Sequence, residues 1–218
     1  MIVGFSMFDC DKLKQIEKYI SQTNSISKII AISKNHPKES VFKAIDCGIR
    51  DFGENRVQEA SIKFADLLIK YPEISLHLTG PLQTNKVKDA LKIFSFFHTL
   101  DREKLAREFS KHASIIKFKK FFIQVNTGRE ESKSGVLPEN LKDLFLLCKN
   151  DLKLNIIGLM CIPPISDDPN FHFKLLKDMG EELKLNKFSM GMSADYKVAI
   201  DLNSNYIRLG TILFGKRL

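Results

Sequence analysis

Eight short apolar, β-rich runs alternate along this chain with longer segments of helical period, and that alternation restricts the fold more than any other feature. The runs are IIAIS (29–33), RDFG (50–53), SLHLT (75–79), SFFHT (95–99), KFFIQVN (120–126), LNIIGLM (154–160), KFSMG (187–191) and YIRLG (206–210). Near-continuous apolar strands separated by helices mark a parallel sheet buried on both faces. Helical period falls at about 38–47, 55–70, 84–92, 102–112, 138–150, 170–186 and 194–203, with a short helix after Gly210 and an amphipathic opening helix around Asp11 to Ser21. Eight β-α units in 218 residues, without a linker or low-complexity tract, predict the α/β class: one (β/α)8 TIM-type barrel over 1–218 with an extra N-terminal helix. A doubly wound open sheet is the competing architecture. In a barrel, functional residues gather where strands end and loops begin, on the C-terminal face.

Composition narrows the class further. No basic segment followed by an apolar stretch opens the chain, and no apolar run approaches the roughly 18 residues needed to cross a bilayer, so no membrane role is expected and the predicted location is cytoplasmic. Cys10, Cys47, Cys148 and Cys161 lack C-x-x-C or zinc spacing and read as four reduced thiols. The net charge of +8 is spread through the chain among 26 acidic residues, which argues against a nucleic-acid surface. Its densest cluster, Lys117 to Lys120, runs straight into FFIQV and reads as the solvated start of a buried strand. His36, His98, His112 and His172 show no ligand spacing, so no metal is assigned.

Two features carry chemistry. Lys34 closes the first strand, at the predicted mouth, where a desolvated amine can form an imine with an aldehyde. A solvated strand-end charge is the ordinary alternative. The loop after the seventh strand reads Ser189-Met190-Gly191-Met192-Ser193, and the eighth strand ends Arg208-Leu209-Gly210-Thr211. Loops after strands seven and eight of such barrels commonly bind phosphate through backbone N–H groups, with glycines allowing close approach. Ser193 and Thr211 are each placed to begin a helix, where a hydroxyl either caps the helix or donates to an anion. Taken together, the two loops favour phosphate.

IIAISK around Lys34, DFGENRVQEA (51–60), LHLTGPLQTNK (76–86), ESKSG (131–135), GLMCIPP (158–164), GMSAD (191–195) and IRLGTILFGKR (207–217) together resemble the pyridoxal phosphate homeostasis proteins, single-domain relatives of the alanine racemase N-terminal barrel. The resemblance runs from about residue 26 to the C-terminus. It implies pyridoxal 5'-phosphate as cofactor, held as a Schiff base on Lys34, with Ser193, Gly210 and Thr211 at the phosphate and Arg208 facing the pyridine nitrogen. Met192 belongs to the same phosphate loop. Asn55 either reaches the cofactor ring or the Lys34 amine, or caps the following helix; His77 either points toward the cofactor or is a hydrogen-bonded core histidine. Ser132 to Gly135 form either a second anion site or a solvated loop.

The same resemblance bears on activity. An arginine at the pyridine nitrogen can only donate, so the ring stays neutral and stabilises a carbanion poorly. Alanine racemases add a tyrosine base from a C-terminal domain of a partner subunit, and the chain as given ends at Leu218 without one. The expectation is a non-enzymatic, monomeric protein with no catalytic residues that buffers, protects or delivers pyridoxal phosphate to apo-enzymes dependent on it. The alternative is a pyridoxal phosphate-dependent amino-acid racemase using Lys34 as one base.

Overall fold

The computed structural model describes residues 8–215. Its strands are β1 (Lys28–Ile32), β2 (Asp51–Glu54), β3 (Ser75–Leu78), β4 (Phe96–Leu100), β5 (Lys120–Val125), β6 (Ile156–Cys161), β7 (Phe188–Ser189) and β8 (Tyr206–Leu209). All neighbours pair in parallel, and β8 returns to β1 to close the barrel in chain order. The helices are α1 (Cys10–Gln22), α2 (Lys38–Asp46), α3 (Val57–Lys70), α4 (Val87–Ile93), α5 (Glu103–Ser110), α6 (Ala113–Ile116), α7 (Leu141–Leu146), α8 (Pro169–Glu182), α9 (Tyr196–Asp201) and α10 (Thr211–Phe214). This is a (β/α)8 barrel with an additional N-terminal helix, as the alternation of apolar runs predicts. Among the described residues, no helix is long and apolar enough to cross a membrane.

Strand alternation explains why the runs look continuously apolar. Side chains point in turn to opposite faces of a strand. Ile30, Ile32, Phe96, Phe122, Met160 and Tyr206 form the interior cluster. Ala31, Phe52, Phe97, Phe121 and Ile123 belong to the outer core with helix residues such as Phe64 and Phe109. There Phe97 stacks on Phe121 at 5.2 Å between centroids, and Phe109 meets both rings edge-on at 4.9 Å. Such offset and edge-to-face pairs add about 0.5–1.5 kcal/mol each beyond their buried area.

Three boundaries depart from the expected ones. β7 is two residues long, although backbone bonds to the β8 segment continue through Met190 and Gly191, and the Ser204 hydroxyl lies 2.9 Å from the Met190 carbonyl. Gly191, at φ +95°, then turns the chain out of the sheet. The segment expected as one helix over 138–150 changes winding from 3-10 through α7 to a π turn at Leu147–Asp151. The stretch 102–112 ends at Ser110, and α6 follows as a separate turn.

The N-terminal helix starts on a side-chain cap, with Lys12 N–H donating to Asp9 Oδ1 at 2.8 Å. It is pinned by Tyr19, whose hydroxyl donates to Asp201 at 2.8 Å, and by Asp9 N–H, which bonds Leu213 O at 2.8 Å. The expectation of four reduced thiols is corrected here. A disulfide joins Cys10 to Cys47, with Cα atoms 5.8 Å apart, because α1 lies over the end of α2; Cys148 and Cys161 are free and buried. Sequence spacing cannot reveal a pair that only the packing of two helices brings together.

β6 is seated by Gly158. A Cβ there would stand 1.9 Å from the Lys187 carbonyl and 2.9 Å from the Phe122 ring, beside the register shift between Phe121 and Phe122. Gly158→Ala must therefore push β6 away from β7 or distort the interior layer. It should cost about 1–3 kcal/mol or more in equilibrium denaturation. An unchanged denaturation midpoint would contradict this packing.

Candidate functional site

Lys34 lies two residues past the end of β1, in a turn clamped from beneath. The buried Lys63 of α3 donates to the Ser33 carbonyl at 2.7 Å, to Glu54 Oε1 at 2.8 Å and to Glu59 Oε1 at 3.0 Å. Ser33 Oγ donates to the same Glu54 oxygen at 2.7 Å, and Asn35 N–H donates to Glu59 at 2.6 Å. Burial pushes the Glu54 carboxyl upward against the pull of Lys63 and Ser33. Glu59 also feels burial, but the Asn35 N–H and Lys63 outweigh it and hold its carboxyl below the ordinary value. On the far side of the turn, His36 stacks on Phe214 of α10 at 5.0 Å. A buried pair of this kind mainly fixes geometry, since removing one partner strands the other charge.

The loop after β7 folds on itself. Met192 N–H donates to Asp195 Oδ1 at 2.5 Å, and Tyr196 N–H bonds the Met192 carbonyl at 2.8 Å. Ser193 therefore sits in the turn ahead of α9 and does not begin that helix, whose N-cap is Asp195. Thr211 does begin α10, with Gly210 as its N-cap. Arg208, only 4% exposed, is held by its backbone to Gly191 O at 2.8 Å, and its guanidinium donates to Ser189 Oγ at 2.8 Å and the Cys161 carbonyl at 2.9 Å. Burial draws the guanidinium down from its usual value.

These turns enclose one cavity of about 430 Å³ at the C-terminal mouth, within the ordinary range for small-molecule pockets. Lys34, Asn55, Met192, Ser193, Arg208, Gly210 and Thr211 all line it, joined by Ile32, Thr79, Ile162, Ile165 and Ala194. Thr79 and the apolar rim went unnoticed in the sequence; the position of Thr79 at the end of the SLHLT run was the available signal. Asn55 does not cap α3, whose N-cap is Arg56, and instead accepts a hydrogen bond from the Thr79 hydroxyl at 3.0 Å. A larger cleft of about 670 Å³ near α5 and α7 contains neither a lysine nor a glycine-rich turn.

His77 is not brought to this cavity. It is fully buried on the barrel axis, stacked on Phe96 at 4.2 Å, and both ring nitrogens are engaged: Nε2 with Asp51 and Nδ1 with His98, each at 2.9 Å. His98 in turn reaches Ser189 Oγ at 2.9 Å, the atom that receives Arg208. Its strand position, two residues after inward-facing Phe96, was the sequence signal. Ser132, Lys133 and Ser134 are exposed and lie outside the cavity lining. Among the described residues there is no group of three or more His, Cys, Asp or Glu able to hold a metal ion.

A parallel barrel with a strand-end lysine and two glycine-bearing turns at one mouth defines a recognisable class, and the sequence model described as "Alanine racemase, N-terminal domain" matches residues 9–217. The chain is 37% identical over 227 residues to the pyridoxal phosphate homeostasis protein of Aquifex aeolicus, covering 95% of this chain and 98% of the relative. It belongs to that family. The structure of PipY of Synechococcus elongatus PCC7942 with pyridoxal phosphate bound is similar, with TM-score 0.82 at 31% identity over 94% of this chain and 99% of that one. Alanine racemase of Clostridium difficile shares the fold, with TM-score 0.74 at 16% identity over 99% of this chain and 59% of that one.

Burial of two neutral imidazoles makes stability depend on pH. Burial lowers His98 well below 6.5, with His77 and Arg208 lowering it further. His77 is also lowered by burial, against the pull of Asp51. A lowered folded value means that below about 6.5 the unfolded chain takes up protons that the native barrel refuses, so stability is lost as pH falls. Denaturant melts should show roughly 1–3 kcal/mol less stability at about pH 5.5 than at about pH 7.5. A profile that stays level or rises toward acid would contradict neutral burial of the pair.

Proposed function

We propose that this protein binds pyridoxal phosphate in the cavity at the barrel mouth, holds it as a Schiff base on Lys34, and releases it again to apo-enzymes without catalysing a reaction of its own. The observation that carries this reading is the convergence of the Lys34 amine, the Arg208 guanidinium and the Ser193, Gly210 and Thr211 turns on one cavity.

The residues fit the group. Gly210 has a negative φ, and a Cβ built on it would meet nothing nearer than Ile32 at 3.5 Å. Packing does not require glycine there, whereas an anion approaching the backbone favours it. Ser193 and Thr211 offer hydroxyl donors beside it, and Arg208 offers only donors, suited to an aromatic nitrogen acceptor. When bound, the cofactor supplies an aldehyde for the amine and a ring acceptor for the guanidinium. Lys34 would hold the cofactor through its amine, the aldehyde oxygen leaving as water; the two turns would hold the anion, and Arg208 would orient the ring and leave its nitrogen unprotonated.

Two features favour holding over turnover. Among the described residues, the cavity lining contains no His, Tyr, Asp, Glu or Cys to serve as the second acid or base that racemisation would require. The rim is open to water: Ile165 is fully exposed and Ile162 is 40% exposed. An open mouth lets water and amines reach the imine, which suits reversible exchange in the cytoplasm. The names of the relatives agree with such a role.

Borohydride treatment of the loaded protein should attach the cofactor to the peptide containing Lys34, and Lys34→Ala should lose the imine absorbance. An unchanged band in that variant would overturn the assignment. Replacing Ser193 and Thr211 together by Ala should weaken pyridoxal phosphate binding by about a hundredfold or more, each lost bond to an ion being worth about 1.5–3 kcal/mol. Unphosphorylated pyridoxal should be far less affected; equal weakening of both ligands would move the phosphate elsewhere.

A further inference from the structure

An unbroken chain of hydrogen bonds runs down the barrel axis beneath the cavity. It passes from Arg208 to Ser189 at 2.8 Å, then to His98, His77 and Asp51, each step 2.9 Å. The two histidines and Ser189 are fully buried, while the Asp51 side chain is 23% exposed. Asp51 opens into a separate cavity of about 330 Å³ at the opposite end of the barrel, near Glu17, Lys28 and Arg50.

Elementary hydrogen-bond accounting fixes the direction of this chain. An ionised carboxylate only accepts, so His77 Nε2 carries the proton. In a neutral ring Nδ1 must then accept, and His98 Nε2 supplies that proton. His98 Nδ1 is left as an acceptor for the Ser189 hydroxyl, whose oxygen receives Arg208. Every link follows from the negative charge at one end, and aligned bonds polarise one another. With an amide at position 51 the opposite order becomes accessible: His98 and Arg208 both point protons at Ser189 Oγ, and the serine proton loses its acceptor.

We propose that Asp51, His77, His98 and Ser189 are positioning residues that orient Arg208, so that the charge of Asp51 at one end of the barrel sets the affinity for the pyridine ring at the other. None of the four lines the cavity. The chain acts through Arg208 alone, and so it rests on the reading of Arg208 as the partner of the ring nitrogen. The other ionisable groups facing the histidines are Lys28 on β1, Lys120 on β5 and Tyr206 on β8; the lysines disfavour a charged His77, and Tyr206 stands edge-on to His98.

Two measurements test the proposal. Nitrogen NMR of the ligand-free protein, labelled at histidine, should find His77 and His98 both neutral with the proton on Nε2, and Asp51→Asn should shift the pair toward Nδ1–H. An Nδ1–H tautomer or a charged ring in the wild type would overturn the chain whatever the cavity binds. Binding is then compared for pyridoxal phosphate and its analogue with carbon in place of the ring nitrogen. Asp51→Asn should weaken the first by about tenfold, a coupling of ordinary size, and leave the second unchanged. Ser189→Ala should behave alike. Equal weakening of both ligands, or of neither, would reduce the chain to a structural role. Failure of borohydride to trap cofactor on Lys34 would instead count against the proposed function and leave the tautomer result standing.

Discussion

A guanidinium buried on the axis of a closed barrel is the constraint around which the rest of the structure is arranged. Eight strands enclose a space that side chains fill, with little room for water. Arg208 keeps its charge there and must find acceptors from the protein. Ser189 and the Cys161 carbonyl serve one side of it, and the cavity lies on another. The requirement then propagates inward, because each buried polar group recruited to satisfy the last needs a partner of its own. The series stops only at Asp51, where solvent is again within reach.

The two halves of the mouth are built on different principles. On the β1 side the Lys34 turn is fixed by ionic clamping, with Lys63 tying Ser33, Glu54 and Glu59 together below it. On the β7 and β8 side the turns are shaped by backbone geometry, with Gly191 in the left-handed region and Asp195 folding the loop back on Met192. Lys34 is thus carried on a clamped turn, while Ser193 and Thr211 line the cavity from short turns on the other side. Such a division suits a ligand that is anchored at one end and exchanged through the other.

Much of this was legible in the sequence, because strand periodicity and strand-end position are local properties. The eight apolar runs fall on the eight strands, and the residues read as lining the mouth do so except His77. What escaped was long-range. His77 and His98 stand 21 residues apart, and nothing in either segment announces that adjacent strands bring their rings together. Lys63 looks like any helix lysine until α3 packs on β2. The Cys10–Cys47 pair likewise depends on which elements touch. Helix boundaries failed where winding changes, as at Leu147–Asp151, for which the apolar pattern carries no signal.

Pyridoxal phosphate held in the cavity as proposed would set its ring nitrogen against Arg208, a group that only donates. The nitrogen NMR shift of the cofactor itself, labelled at the pyridine position and bound to the protein, reads this most directly. A neutral nitrogen in a strong hydrogen bond, unchanged across the pH range in which the free cofactor titrates, is the predicted result. A protonated pyridinium, or a nitrogen that titrates as it does in water, would contradict it.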